Sequence, residues 1–525
     1  MTLYDKISNC SDGELIAMHY EKKNISYNRL LINIRKLMSY FKNKNIMAGD
    51  VVTVVLPNIP STIYTFYALN ALGVIQNIVH PLTSFDKIVE TAKETKSKGI
   101  VLLSTLYQEN YEVIKDLDFK FFFVNPMFDN SFFMKHLFYV KYKRPKVNNH
   151  IYLLEDFYKE KECYDVYFKE EKETSIYLHS GGTTGVPKVI CLSDYAINNL
   201  VSKIDGIVKD IKGKSMLAVL PTFHGFGLGM GIHAPLANNA TTSLMMKFNA
   251  KKVIKWINQN KVNMIIGVPL LYQKLLREDS FKESKLANLE YCFIGGDNVP
   301  TSLINDFNLL MKEKGSKALL LEGYGLTETV TVCNVNTNDN FKLGSVGRPL
   351  RDIEVKILDD DLNELNWLEI GEVFISGDTL MNGYNDDLDS TSKTMINYNN
   401  KVYIKTGDLG YLDQDGFLFL KGRKKRMFKI SGLNVYPSEV EKLATDNNDI
   451  IDAALEYFME PKPHLVLYVI KNKYSDKENS VIINELNKEF ESKLIKYSLP
   501  SKIVFMDAFP KTNVGKIDHK AFVDK

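Results

Sequence analysis

The run Val51–Leu56, VVTVVL, is short, β-branched and apolar, and its like recurs along the chain. Ile100–Leu103, Phe121–Val124, Ser175–Leu178, Met216–Leu220, Met264–Val268, Tyr291–Ile294 and Ala318–Leu321 share the texture. A strand that is apolar on both faces must be covered on both, so it belongs inside a sheet flanked by helices. Helical patterns separate most of the runs. In Tyr27–Asn43 the residues Leu30, Leu31, Ile34, Leu37, Met38 and Phe41 recur at the spacing of one helix face. Alternation of this kind predicts α/β architecture with mostly parallel sheets. So many strands exceed one modest sheet, and two are expected.

After about residue 340 turn signals crowd in: Gly344, Gly347–Pro349, Asp359–Asp361, Asn382–Gly383 and Asp413–Gly416. Short strands between them imply a β-rich subdomain. The basic run GRKKRMFK, 422–429, follows, and about a hundred residues beyond it carry their own helix–strand pattern, enough for a small α+β domain. A net charge of +2 gives no field that would gather nucleic acid. The five cysteines are scattered without a C-x-x-C pair, which fits a reducing compartment and no zinc site. No window approaches the ~18 consecutive apolar residues of a spanning helix, so a soluble, cytoplasmic chain is expected.

Four strings carry chemistry. HSGGTTGVPK, 179–188, follows a strand with a glycine–hydroxyl turn and a lysine, groups that can cradle an anion. It is not the G-x-x-x-x-G-K-[ST] nucleotide loop, because Pro187 precedes the lysine and Val189 follows it. EGYGLTET, 322–329, places Tyr324, Thr327 and Glu328 after a buried strand, where open α/β sheets bind ligands. KTGDLG, 405–410, holds Asp408 between glycines, and PKTNVGKI, 510–517, carries Lys516 near the chain's end. Taken singly, each is equally a solvated turn, a helix cap or a surface lysine.

In this order, together with PTFHGFGLG (221–229), IGGDNVP (294–300) and GRKKRMFKISGLNVYPSEVE (422–441), they resemble the adenylate-forming superfamily of acyl- and aryl-CoA synthetases, peptide-synthetase adenylation domains and beetle luciferases. The resemblance spans nearly the whole chain. It implies a large AMP-binding domain, 1–424, with its β-rich subdomain at about 340–424, and a mobile C-terminal lid, 425–525. It also implies roles. Ser180, Gly181, Gly182, Thr183, Thr184, Gly185 and Lys188 would grip the β- and γ-phosphates of ATP. Gly295, Gly296 and Asp297 would border the adenine and Tyr324 would stack on it. Thr327 would touch the α-phosphate, Glu328 would hold Mg²⁺, and Asp408 with Arg423 would anchor the ribose. Lys516 would bridge the substrate carboxylate and the α-phosphate. In the second half-reaction, with coenzyme A as thiol, the hinge falls on Lys425, and Lys429 faces the site. His224 matches the gate between acyl pocket and thiol tunnel. Lys424 and Arg426 read as solvated linker. Gly181, Val189 and Arg426 depart from the common pattern without removing a group the chemistry needs.

The substrate is then a carboxylic acid. From Pro221 to Pro235 there is no Asp or Glu to pair an amino acid's ammonium, whose unpaired burial would be costly. Gly225, Gly227, Gly229 and Gly231 suggest room for a medium- or long-chain fatty acid; an aryl acid stays open. So do transfer to an acyl carrier protein and a non-catalytic nucleotide-binding homologue, although Glu328, Asp408 and Lys516 are all retained. SFFMKHLFYVKYKRPK, 131–146, mixes aromatics and cations as a membrane-surface helix would. It reads equally as a core-packed connector with a basic tip.

Overall fold

A computed structural model describes residues 1–129, 132–180, 188–430, 433–460, 462–511 and 517–522, apart from the side chains of 132, 133, 135 and 136. Two mostly parallel sheets form its centre. In the first, the strands run in the order Gly383–Tyr384, Val189–Ser193, Thr174–His179, Ile75–Ile78, Val51–Val55, Gly99–Leu103, Lys120–Val124 and Ile151–Leu153, antiparallel only where Val189–Ser193 meets its two neighbours. The second sheet has nine strands, with Leu320–Gly325, Tyr291–Ile294, Met264–Gly267, Ser215–Ala218 and Thr241–Leu244 side by side and parallel. The α/β class and the paired sheets are as the sequence predicts.

Local chemistry explains the elements that brace the sheets. Helix Tyr27–Asn43 begins where the Ser26 hydroxyl accepts the Arg29 N–H, and its apolar stripe is buried. Helix Pro60–Ala71 opens on proline and lies buried at every position. One strand runs differently from expectation. It spans Leu320–Gly325 rather than 318–321, because Val332–Val335 pairs with it antiparallel and extends it through Tyr324.

The β-rich part is an antiparallel sheet of Glu354–Leu358, Gly371–Ser376, Lys401–Leu412, Met395–Tyr398 and Leu418–Arg423. Beyond it, Ile450–Phe458, His464–Lys471 and Lys502–Phe505 form a small sheet with helices Pro437–Asp446 and Asn479–Lys493. This C-terminal part has its own core, including Val440, Leu455, Leu467, Ile482 and Phe490.

Polar contacts join it to the rest. Helix Thr301–Glu313 starts after Pro300, which offers no side-chain cap. Asp446 supplies one from the C-terminal part, accepting from the N–H of Thr301 (2.6 Å) and of Ser302 (3.2 Å). Lys424 and Arg426 are not solvated linker. Lys424 pairs with Asp360 at 2.6 Å and with the buried Glu372 at 2.7 Å. Arg426 donates to both carboxylate oxygens of Glu441, at 2.7 and 3.3 Å. Buried carboxylates explain the difference, since each needs a cation or several donors.

In helix Phe132–Lys141, Phe138 is buried and the Tyr139 hydroxyl donates to Glu155 at 2.7 Å, as in a packed connector. Met134, Leu137 and Val140 nonetheless form an exposed apolar ridge. Among the described residues no helix is long and apolar enough to cross a membrane.

Candidate active site

The carboxyl ends of the second sheet's strands meet the β-rich part at Tyr324. Its hydroxyl donates to Asp408 Oδ2 at 2.6 Å, and Arg423 Nε pairs with Asp408 Oδ1 at 2.9 Å. Asp408 stands directly opposite Arg423 across two antiparallel strands, so the pairing register sets this ion pair. Arg423 also donates to the Thr406 carbonyl at 2.9 Å, which aims the guanidinium. Burial, with Asp408 alongside, pushes the Tyr324 hydroxyl far above its ordinary pKa, so it remains a donor. Gly295 lies beneath: a Cβ there would sit 2.6 Å from the Gly323 carbonyl, so only glycine lets the two strands run this close. Gly296 and Asp297 emerge at the surface beside it.

A second cluster forms at the first sheet. Ser180 N donates to the Lys188 carbonyl at 2.9 Å and Lys188 N donates to Ser180 Oγ at 3.0 Å, closing the base of the glycine–hydroxyl loop. Gly181, Gly182, Thr183, Thr184 and Gly185 lie outside the described residues. Lys188 Nζ is 4.4 Å from the ring centroid of Tyr384, and the Tyr384 hydroxyl donates to Glu328 Oε1 at 2.9 Å. The Glu328 carbonyl accepts from Met381 N at 2.8 Å. Thr327 opens a single 3₁₀ turn, half-buried, between Glu328 and Tyr324. Sequence reasoning missed Tyr384. A Gly-Tyr pair in MNGYNDD carries no chemical signal, and the contact depends on a strand pairing far away in sequence.

An apolar cavity opens beside Tyr324, at the first of these clusters. Gly295, Gly296, Tyr324 and Gly325 rim it; Ile204, Ile207, Val208, Ile211, Met216 and Met230 line it. No Asp, Glu, Lys or Arg is among its lining residues. Of the glycines at 225, 227, 229 and 231, Gly225 and Gly227 do not make room, contrary to expectation, whereas a Cβ at Gly229 would meet nothing closer than Leu200 Cδ2 at 3.6 Å. A Cβ at Gly225 would lie 1.8 Å from the Val330 carbonyl and one at Gly227 2.2 Å from the Pro221 carbonyl. They allow close backbone packing around the π-helical segment Phe226–His233, and a neighbouring element fills the space that their missing side chains leave.

Glu322, on the strand that bears Tyr324, is buried, and its Oε2 has no hydrogen-bond partner among the described residues. Burial pushes its carboxyl up to about 7, against the pull of Lys442 from the C-terminal part.

Of the remaining expected residues, the described ones, Lys425, Lys429 and His224, are not brought into these clusters. Lys516 lies outside the described residues. Lys429 is exposed on the hairpin Phe428–Ile430/Leu433–Val435, and Lys425 is exposed before it. His224 is exposed, its ring 4.2 Å from Phe223 at the start of the π-helical segment. Among the described residues no group of three or more His, Cys, Asp and Glu could hold a metal by itself. In the second cluster Glu328 offers hard carboxylate oxygens, one already oriented by Tyr384. That donor set fits Mg²⁺, which usually takes one or two carboxylates plus substrate phosphates.

Residues 9–385 match the family of AMP-binding enzymes. A long-chain-fatty-acid–CoA ligase of Bacillus subtilis (strain 168) is 25% identical over 533 residues, covering 97% of this chain and 91% of the relative. A 4-coumarate–CoA ligase 2 of Nicotiana tabacum is 26% identical over 530 residues, covering 98% and 92%. The fold is shared with the anthranilate CoA ligase AuaEII solved with anthranoyl-AMP (TM-score 0.84, 18% identity, 99% and 96% covered). It is shared too with the o-succinylbenzoate CoA synthetase MenE of Bacillus subtilis solved with AMP (TM-score 0.80, 22% identity, 100% and 98% covered).

Proposed function

Because this chain belongs to the family of AMP-binding enzymes, we propose that it is an ATP-dependent acid–CoA ligase acting on a medium- or long-chain fatty acid. In the first step a carboxylate oxygen attacks the α-phosphorus of ATP, the bond to the β-phosphate oxygen breaks, and acyl-AMP and pyrophosphate form. In the second, the coenzyme A sulfur attacks the acyl carbon; AMP leaves with the bonding electron pair and the thiol proton passes to solvent.

Each cluster has a part in this reading. Tyr324 offers a ring face for the adenine, while Asp408, oriented by the Tyr324 hydroxyl and Arg423, receives the ribose hydroxyls. Lys188 and the loop from Ser180 hold the pyrophosphate end, and Thr327 donates to the α-phosphate. Glu328 would hold Mg²⁺, which when bound neutralises charge on the phosphate oxygens. Lys516, on the C-terminal part, supplies the ammonium beside the attacking carboxylate, where fixed donors in a water-poor site are worth most. Lys429 belongs to the thioester-forming arrangement, reached when the C-terminal part turns at Lys425, with His224 gating the thiol's entry.

The observation that carries the substrate class is the cavity. Its largely aliphatic lining, which also includes Phe226 and Phe293, suits an alkyl chain, and it has no carboxylate to receive an ammonium. Filling it is the test. Ala234→Trp, at the lining, should lower AMP release with a sixteen-carbon acid on the order of tenfold and spare an eight-carbon acid. Equal loss across chain lengths would remove the cavity from substrate choice. A wild-type preference for 4-coumarate over every alkyl acid would transfer the reading to aryl acids. Comparing coenzyme A with an acyl carrier protein as acceptor identifies the thiol.

A further inference from the structure

Tyr384 touches two groups that lie far apart in the sequence, Lys188 and Glu328. Its ring lies under the Lys188 ammonium at 4.4 Å, and its hydroxyl donates to Glu328 Oε1 at 2.9 Å. We propose that Tyr384 is a positioning residue that fixes Lys188 and Glu328 relative to each other, so that ATP and its divalent cation are received as one unit. This rests on the assignment of Glu328 to the metal and Lys188 to the phosphates.

The backbone holds the tyrosine in place from several sides. Gly383–Tyr384 pairs antiparallel with Val189–Ser193, Tyr384 opposite Ile190, two residues beyond Lys188. Asn382 N donates to the Cys191 carbonyl and Asn385 N to the Val189 carbonyl, both at 2.8 Å, and Tyr384 N donates to Thr391 Oγ1 at 2.9 Å. The same strap reaches Glu328 through Met381 N. Gly383 takes φ +131°, a conformation that L side chains rarely adopt, which lets the strap turn at this point.

A side chain held this firmly can transmit its position. Lysine is a point charge on a flexible four-carbon stem, and a ring face beneath the ammonium limits where it points. A carboxylate with one oxygen committed to a hydroxyl directs its remaining lone pairs. Such outer partners of metal ligands typically carry about 10- to 100-fold in metal affinity.

The test separates ring from hydroxyl. Tyr384→Phe keeps the ring under Lys188 and removes the donor; Tyr384→Leu removes both; Glu328→Gln controls for the metal assignment. Two readouts are used: Mn²⁺ binding in the presence of ATP, followed by electron paramagnetic resonance without acid or thiol, and ATP binding by calorimetry without metal. Tyr384→Phe should weaken Mn²⁺ about tenfold and leave metal-free ATP binding unchanged, while Tyr384→Leu weakens both. If Tyr384→Phe binds Mn²⁺ as wild type while Glu328→Gln does not, the inference falls and the function stands. If Glu328→Gln also binds Mn²⁺ as wild type, the metal assignment falls and takes the inference with it. Should Tyr384→Phe weaken metal-free ATP as much as Mn²⁺, the hydroxyl supports the local fold rather than Glu328, and the inference is again overturned.

Discussion

The sheets of the chain up to Arg423 and the small sheet with its helices from Pro437 onward are held together by different forces. In the first region apolar clusters run between the sheets and their covering helices, with Tyr27, Tyr64, Phe122 and Leu178 all buried in one of them. The second has a small core of its own and meets the first through polar contacts such as the Asp446 cap and the Lys421–Glu439 pair. Like charges also face each other there, and burial with Asp297 nearby pushes Asp452 up to about 6. A polar junction of this kind separates at lower cost than an apolar one. The proposed reaction uses that contrast, with ATP held by the large region and Lys516 supplied by the C-terminal one.

The largest effect should come from that division of labour. Lys516→Ala is expected to lower acid-dependent pyrophosphate exchange by ~10²–10³-fold, with ATP binding and melting temperature unchanged. Asp408→Ala, in the rigid region, should instead weaken ATP binding. Loss of ATP binding in Lys516→Ala would break the distinction.

Next is pH. The Glu322 carboxyl is raised to about 7 in the folded protein against an ordinary 4.5, so the native state keeps a proton that the unfolded chain releases. Stability is therefore lost as pH rises from about 4.5 to 7, on the order of 3 kcal/mol in all. Glu322→Gln should raise the melting temperature at pH 8 and leave it nearly unchanged at pH 4.5. Equal gains at both pH values would contradict the shift. Asp446→Ala removes a cap from across the junction and should cost about 1 kcal/mol. Hydrogen exchange should quicken at Thr301 and Ser302 while the parallel sheets keep their protection. Exchange that quickens throughout would mean the two regions are not separable. The smallest effect is expected at the ridge Met134, Leu137 and Val140: flotation with anionic vesicles at low salt, lost at high salt. Absence of flotation at low salt leaves the helix as a connector only.

Much of this was legible in the sequence because apolar periodicity reports burial directly. Helix Tyr27–Asn43 and strand Tyr291–Ile294 have the bounds their patterns predict. The strand Ile75–Ile78 escaped notice because IQNI reads as polar. Gln76 and Asn77 are fully buried, donating to the Phe66 carbonyl and to the Thr53 and Thr95 hydroxyls. The Tyr324–Asp408–Arg423 group was expected together on resemblance, whereas Tyr384 depends on a cross-strand register that no local pattern encodes. Gly225 and Gly227 misled for a related reason. A glycine in sequence does not tell an open space from a backbone in close contact.

Adenylation itself is tested most directly by identifying the nucleotide released when the protein is given ATP, Mg²⁺, a long-chain fatty acid and coenzyme A. AMP and pyrophosphate, formed only with the acid and in step with thioester, are the predicted products. ADP and phosphate, or AMP released at the same rate without acid, would contradict it.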